Sequence, residues 1–248
     1  MLAILGGTGL TQLTNLEITR RQVMRTPYGE PSGALTFGTL GGHEVIFLAR
    51  HGYGHTIAPH LVNYRANLWA LKQEGVKRIV SVASVGGIRA DLVPGTLVIP
   101  DQIIDYTYGR EFTFVDGTDR AVTHTDFTQP YTQSLRSRIL AASRIADVSC
   151  LDGGVYAAVQ GPRLDTIAEV NRLERDGADM VGMTGMPEAA LARELGLSYA
   201  TIAAVVNYAA GRGDSCNGVN LDNVGKVAQG VMAHVRTLLE CVVECDGD

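Results

Sequence analysis

Tyr199-Ala200-Thr201-Ile202-Ala203-Ala204-Val205-Val206-Asn207-Tyr208-Ala209-Ala210-Gly211 is the stretch whose reading decides the fold. From Tyr199 to Val206 it carries no charge and reads as an apolar strand. In α/β sheets ligands sit beyond the carboxyl ends of strands, and Asn207 stands at such an end. An amide donates with its NH2 and accepts with its oxygen. That suits a neutral ring carrying a carbonyl beside a ring nitrogen. A carboxylate there would only accept, and would suit an amino-substituted ring. Asn also starts turns, so the residue taken alone supports either reading.

Working outward, further short apolar runs recur at Leu2–Leu5, Leu35–Leu40, Val45–Ala49, Arg78–Ala83, Thr96–Ile104 and Val155–Val159. Helical patterns fall between several of them. Leu61, Tyr64, Leu68 and Leu71 repeat at helical spacing and end near Gly75. Tyr131 to Ile145 is amphipathic, with Leu135, Ile139 and Leu140 on its apolar side. Pro187 can open a helix that runs to Leu195 and closes at Gly196. Val224, Val227, Val231, Val235, Leu238 and Val242 form one stripe on a C-terminal helix. Strands alternating with helices predict an α/β fold: a central, mixed but largely parallel sheet flanked by helices. One domain over residues 1–248 is expected, since a chain this long and 46% hydrophobic supports one sizeable core. Tyr106 to Gln129 fits neither period. A loop that long is usually functional or meets a partner chain.

Composition excludes several classes. Net charge is −5 and no long basic run exists, so nucleic acid is not an expected partner. No apolar stretch approaches the ~20 residues that span a bilayer, and the N-terminus lacks a charged signal-peptide region. The four cysteines, Cys150, Cys216, Cys241 and Cys245, form neither a CxxC pair nor a zinc spacing. Reduced thiols in a cytoplasmic protein are expected, with Cys241 and Cys245 as packing residues of the last helix.

Four strand ends offer donors suited to an anion. Gly6-Gly7-Thr8-Gly9 follows the first strand. Its glycines admit close backbone approach and Thr8 adds a hydroxyl. It is half of a dinucleotide fingerprint without the third glycine or the downstream acid, and it lacks the Lys of a P-loop. A turn, a phosphate loop and an NAD or nucleotide site all remain open for it. Arg50-His51-Gly52 supplies a planar fork of donors and an imidazole. Ser84, before Gly86-Gly87, and Thr184, before a helix, add hydroxyls. His51, His55 and His60 invite a metal reading, but no carboxylate or Cys joins them at ligand spacing, so no metal is expected. Gln160-Gly161-Pro162-Arg163-Leu164-Asp165 follows another strand. Asp165 is either a helix-cap acid or an acceptor for a ring N–H.

Together Gly6–Leu10, Arg50–Asn67 (RHGYGHTIAPHLVNYRAN), Val82–Arg89, Gly161–Arg163, Gly177–Glu188 and the strand before Asn207 resemble the trimeric purine nucleoside phosphorylase family, specifically its methylthioadenosine branch. The resemblance covers essentially the whole chain and implies the nucleoside phosphorylase fold. It implies phosphate contacts by Thr8, Arg50, His51, Ser84 and Thr184, and a ribose contact by Met183. Leu164, Leu221 and Val224 would line the nucleoside site. His124, in the long loop, would reach the 5′ group in a neighbouring subunit of a homotrimer. Inorganic phosphate is then a co-substrate, and no metal or organic cofactor is needed.

Two departures set the expected substrate. The methylthioadenosine branch carries Asp-Tyr-Asp after the base-site strand, where this chain has Asn207-Tyr208-Ala209. Asp165 matches the acid that 6-oxopurine phosphorylases place against purine N1–H. A buried carboxylate facing an unprotonated N1 would be left unpaired, at a cost. The combination implies phosphorolysis of S-methyl-5′-thioinosine to hypoxanthine and 5-methylthioribose 1-phosphate. A general inosine/guanosine phosphorylase and a methylthioadenosine phosphorylase are the alternatives within the family. Ala83, where relatives often carry a hydroxyl, removes one expected phosphate donor.

Overall fold

The computed structural model describes residues 1–115, 117 and 122–245. In chain order the elements are β1 (Leu2–Gly6), β2 (Glu17–Gln22), β3 (Leu35–Leu40), β4 (His43–Ala49), α1 (Tyr64–Gln73), β5 (Arg78–Gly87), β6 (Leu97–Ile99), β7 (Gln102–Asp105), α2 (Gln133–Ile145), β8 (Cys150–Asp152), β9 (Val155–Ala158), α3 (Ile167–Arg175), β10 (Met180–Gly182), α4 (Gly185–Glu194), β11 (Ser198–Tyr208) and α5 (Leu221–Glu244). All the strands belong to one mixed sheet. Its main path runs β2-β3-β4-β1-β5-β10-β9-β7, and β11 branches from β5 to carry β6 and β8. The central pairings of β1 with β4 and β5, and of β5 with β11, are parallel.

Side-chain alternation builds two cores on the two faces of this sheet. Ala3 and Leu5 face one way, packing with Leu68 and Leu71 of α1 and Ala189 and Leu191 of α4. Leu2 and Ile4 face the other way, with Ile139 of α2 and Val231, Val235, Leu238 and Val242 of α5. That explains why the central strands read as continuous apolar runs: neither face meets water. A third cluster, in which Val170 and Leu173 of α3 meet Val159, Val181 and Ala209, closes the remaining side.

The expected run Thr96–Ile104 is two strands, not one. Pro100 has no N–H to give a ladder, and Asp101 accepts from the Gly154 amide at 2.7 Å. β6 therefore pairs with β11 and β8, while β7 leaves to pair with β9. β2 escaped the sequence reading because Glu-Ile-Thr-Arg-Arg-Gln has no apolar alternation; it is an almost wholly exposed, charged edge. β8 and β10 are three residues each, too short to show a period. α3 carries a signal that was there to find: Thr166 and Glu169 form a complete capping box. The cap is thus Thr166, and the reading of Asp165 as the helix cap falls. Met186 is non-helical, so regular helix in α4 begins at Pro187. No helix among the described residues is long and apolar enough to cross a membrane.

Candidate active site

The carboxyl ends of β1, β4, β5, β9, β10 and β11 open into one cavity of about 590 Å³. Thr8, Arg50, His51, Ser84 and Thr184, the expected anion donors, all line it. So do Met183, Leu164, Asp165, Asn207, Leu221 and Val224. Leu164 and Leu221 stand at its rim, 44% and 67% exposed, so within one chain they wall only an open mouth. His124 is exposed and does not line the cavity.

Two sheet details converge the strand ends. A β-bulge in β11 falls at Val206: Val205 pairs with Val85, and Asn207, two residues on, pairs with Gly86. Such a bulge re-aims the following side chain. A Cβ on Gly86 would sit 3.3 Å from Asn207 Nδ2, so this glycine leaves the amide its space. β10 runs antiparallel to β5, with Val181 opposite Gly86. That register carries Met183 and Thr184 back toward Ser84.

Arg50 differs from the expected free fork. It is fully buried, and its Nε and Nη2 donate to Glu188 at 2.5 and 2.8 Å. Nη2 also donates to Ser81 Oγ at 2.7 Å, and Nη1 to the Val82 carbonyl at 3.0 Å. Of five N–H groups, one on Nη1 remains for a ligand. Burial opposes the charge, but Glu188 outweighs it and holds Arg50 more firmly protonated than usual. Glu188 is itself buried and also accepts from Ser81 Oγ and Tyr199 Oη. The correction is physical: Arg50 brings geometry and one donor, while Glu188 cancels most of its charge. A Cβ on Gly7 would lie 2.5 Å from the Val82 carbonyl and 3.1 Å from Arg50 Nη1, so the first glycine loop packs directly on this pair.

His51 also departs from the expected donor. Its Nδ1 is 2.8 Å from the Ile57 carbonyl, which can only accept. Nδ1 therefore carries the proton. Burial, then the Arg50 charge, push the imidazole down to about 4. At neutral pH Nε2 holds a lone pair and offers an acceptor, not a donor. Ser84 Oγ donates to the Thr8 carbonyl at 3.1 Å, tying two of the strand-end loops together.

On the opposite side Asp165 is half-buried, and its carboxyl is raised above the usual range, first by burial and then by the Glu169 charge, against Arg163. Arg163 is held by Glu169 in a two-pronged pair at 2.8 and 2.7 Å, so it does not neutralise Asp165 fully. Asn207 Nδ2 donates to the Tyr208 carbonyl at 2.7 Å, leaving one N–H and the oxygen of the amide uncommitted. Gly161, at φ +60°, would place a Cβ 2.4 Å from Met183 Sδ, so only glycine lets the loop that leads to Asp165 close on the methionine.

A phosphorylase superfamily family model matches residues 1–244. The chain belongs to the phosphorylase superfamily. It is 56% identical over 85% of its length to a protein from Pseudomonas syringae pv. tomato named as a probable S-methyl-5′-thioinosine phosphorylase, of which the match covers 85%. It is 46% identical over 85% of its length to the 6-oxopurine nucleoside phosphorylase of Pyrococcus furiosus, covering 80% of that protein. Among solved structures, methylthioadenosine phosphorylase from Schistosoma mansoni in complex with adenine superposes with a TM-score of 0.95 at 33% identity, over 99% of this chain and 91% of the other.

The superfamily cavity contains residues that the sequence reading left without roles. Thr56, Ile57, Ala58 and Pro59 form one wall. Glu188 was legible only as the end of a Met-Pro-Glu run, and its pairing with Arg50, 138 positions away, has no local signal. Arg110, from the long loop, has none either. Among the described residues no cluster of three or more His, Cys, Asp or Glu side chains could hold a metal.

Proposed function

We propose that this chain is a purine nucleoside phosphorylase that cleaves S-methyl-5′-thioinosine with inorganic phosphate, giving hypoxanthine and 5-methylthioribose 1-phosphate. The observation that carries the reading is the donor–acceptor set of the base side: Asn207 and Asp165 in one cavity, with Ala209 buried where an acid would serve a 6-amino group. The names of the relatives from Pseudomonas syringae and Pyrococcus furiosus support a 6-oxo base.

In the proposed chemistry a phosphate oxygen attacks C1′ as the bond to the purine nitrogen breaks and its electron pair leaves with the base. Positive charge on the ribosyl carbon is stabilised by the phosphate, whose own position is fixed in advance by Thr8, Ser84, Thr184 and the last N–H of Arg50. His51 Nε2 accepts a hydrogen bond from an O–H of phosphate or of the sugar. Asn207 donates its free N–H to O6, where charge gathers on the leaving base, and its oxygen accepts from N7 once the base takes up the proton that hydrogen phosphate gives up in forming the ester. Asp165 accepts from N1–H. Met183 lies along the sugar, and Val224 and Leu221 take the thiomethyl group, which gains from apolar burial. Neither a metal nor an organic cofactor takes part in this scheme.

The same reading includes a cytoplasmic homotrimer with shared sites. Supporting it, Leu164 and Leu221 stand exposed at an open mouth, and His124 stands exposed away from it. A general inosine/guanosine phosphorylase is the second reading, favoured by the Pyrococcus relative's name. The decisive experiment compares methylthioinosine, inosine, methylthioadenosine and adenosine, each with and without phosphate. Base release from methylthioinosine only with phosphate, at the highest kcat/KM, is the expected result. Faster cleavage of inosine would keep the base assignment and remove the methylthio one. Equal cleavage of methylthioadenosine would remove the base assignment, and phosphate-independent release would remove the phosphorylase. Sedimentation of a fully active monomer would remove the trimer.

A further inference from the structure

Arg110 enters the molecule from the long loop after β7 and is buried. Its guanidinium donates in every direction it has. Nε reaches Gln160 Oε1 at 3.1 Å. Nη1 reaches the Met183 carbonyl at 2.9 Å, the Met186 carbonyl at 2.6 Å and Tyr64 Oη at 3.3 Å. Nη2 reaches the carbonyls of Val159 at 3.2 Å and Gln160 at 2.9 Å. Each of these acceptors is neutral. Among the described residues no carboxylate forms an ion pair with it.

This contrasts with Arg50, whose charge lies against Glu188 at 2.5 Å. A buried charge is normally paired or neutralised, and carbonyl dipoles only solvate it. One guanidinium thus holds the carboxyl end of β9, which leads into Gly161–Asp165, and the carboxyl end of β10, which leads into Met183–Thr184. The first segment carries the base-side acid. The second carries the sugar contact and an anion donor. The cation sits at their junction with no carboxylate at ion-pair distance among the described residues.

We propose, resting on the phosphorolysis reading above, that Arg110 is a positioning residue with two separable roles. Its fork sets the spacing between the base-side and anion-side loops, and its uncancelled charge is a principal source of the positive field that draws in a doubly charged phosphate. Arg50 contributes direction to that anion and Arg110 contributes charge.

The two roles separate by substitution. Arg110→Lys keeps the charge and loses the fork; Arg110→Gln loses the charge. Phosphate KM, methylthioinosine KM and kcat are measured for both beside the wild type, with thermal unfolding to verify folding. Arg110→Gln is expected to raise phosphate KM at least about tenfold, because an unscreened buried charge acts over several ångströms. Arg110→Lys is expected to hold phosphate KM within about threefold while nucleoside KM rises in both variants, as the base-side loop loosens. A purely structural role would lower the unfolding temperature and leave phosphate KM where it was. A folded Arg110→Gln with phosphate KM within about twofold of wild type overturns the charge assignment. Should Arg110→Gln not fold, Arg110→Lys decides: a rise in its phosphate KM of about tenfold or more also overturns it. Wild type that needs no phosphate sinks the phosphorylase reading instead, so the two failures are distinguishable.

Discussion

Replacing Arg50 by Met, Glu188 by Met, and both together should separate stability from activity. Glu188 accepts four hydrogen bonds, two from Arg50 and one each from Ser81 and Tyr199. Arg50→Met removes two and leaves an ionised carboxylate enclosed by protein. Bonds to charged groups are worth about 1.5–3 kcal/mol each, and breaking one side of a buried pair costs about 3–5 kcal/mol. Both single variants should therefore lose about 3–5 kcal/mol. For a chain of this size that is a fall of very roughly 6–20 °C in Tm. The double variant removes both charges and keeps comparable volume. Its loss should be well below the sum of the singles, leaving a coupling of about 2 kcal/mol or more. Activity should not return with stability. The double variant lacks the remaining Nη1 donor, and phosphorolysis should stay down about tenfold to a thousandfold, equivalent to roughly 1.5–4 kcal/mol. Urea unfolding of the four proteins, with kcat/KM for phosphate on each, makes the test. If Arg50→Met abolishes phosphorolysis yet costs under about 1 kcal/mol in stability, the fork serves phosphate and not Glu188, and the reasoning is refuted.

Asp165→Asn should stabilise the free protein at neutral pH while weakening base recognition. A carboxyl raised in the folded state gives stability below its unfolded pKa that is lost as pH rises through the folded one, so removing it helps above that range. In the wild type, methylthioinosine KM should rise on acidification at a higher pH than an ordinary Asp would give, and the variant should lack that limb; identical KM–pH profiles would contradict the assigned role. Asn207→Asp with Ala209→Asp should move preference toward methylthioadenosine, from a wild-type bias for methylthioinosine of at least about a hundredfold in kcat/KM, ~2.7 kcal/mol. An unchanged ratio would sever these positions from base choice. His51, held neutral down to about 4, should contribute no ionisation to the rate profile. His51→Gln should then lower turnover without altering the profile between about pH 5.5 and 8, and a limb that vanishes with the substitution would show a charged imidazole instead.

The alternation of largely apolar strands with amphipathic helices was readable in the chain, because a sheet covered on both faces writes its burial into most residues of β1, β4, β5 and β11. Thr8, Arg50, Ser84 and Asn207 were legible as candidates for the same reason: each stands at or just past the carboxyl end of such a strand, and strand ends are where α/β sheets bind ligands. Strand order was not legible. β10 lies antiparallel to β5 through only Met180 and Val181, yet that short pairing turns Met183 and Thr184 into the cavity. Nor could local pattern supply the partners of charge. Glu188 cancels Arg50 across 138 positions and Arg110 grips carbonyls 49 to 76 positions away. Residue type gives a side chain's chemistry, but which charge is spent and which stays available depends on what lies within about 3 Å. Only the tertiary structure brings those atoms together.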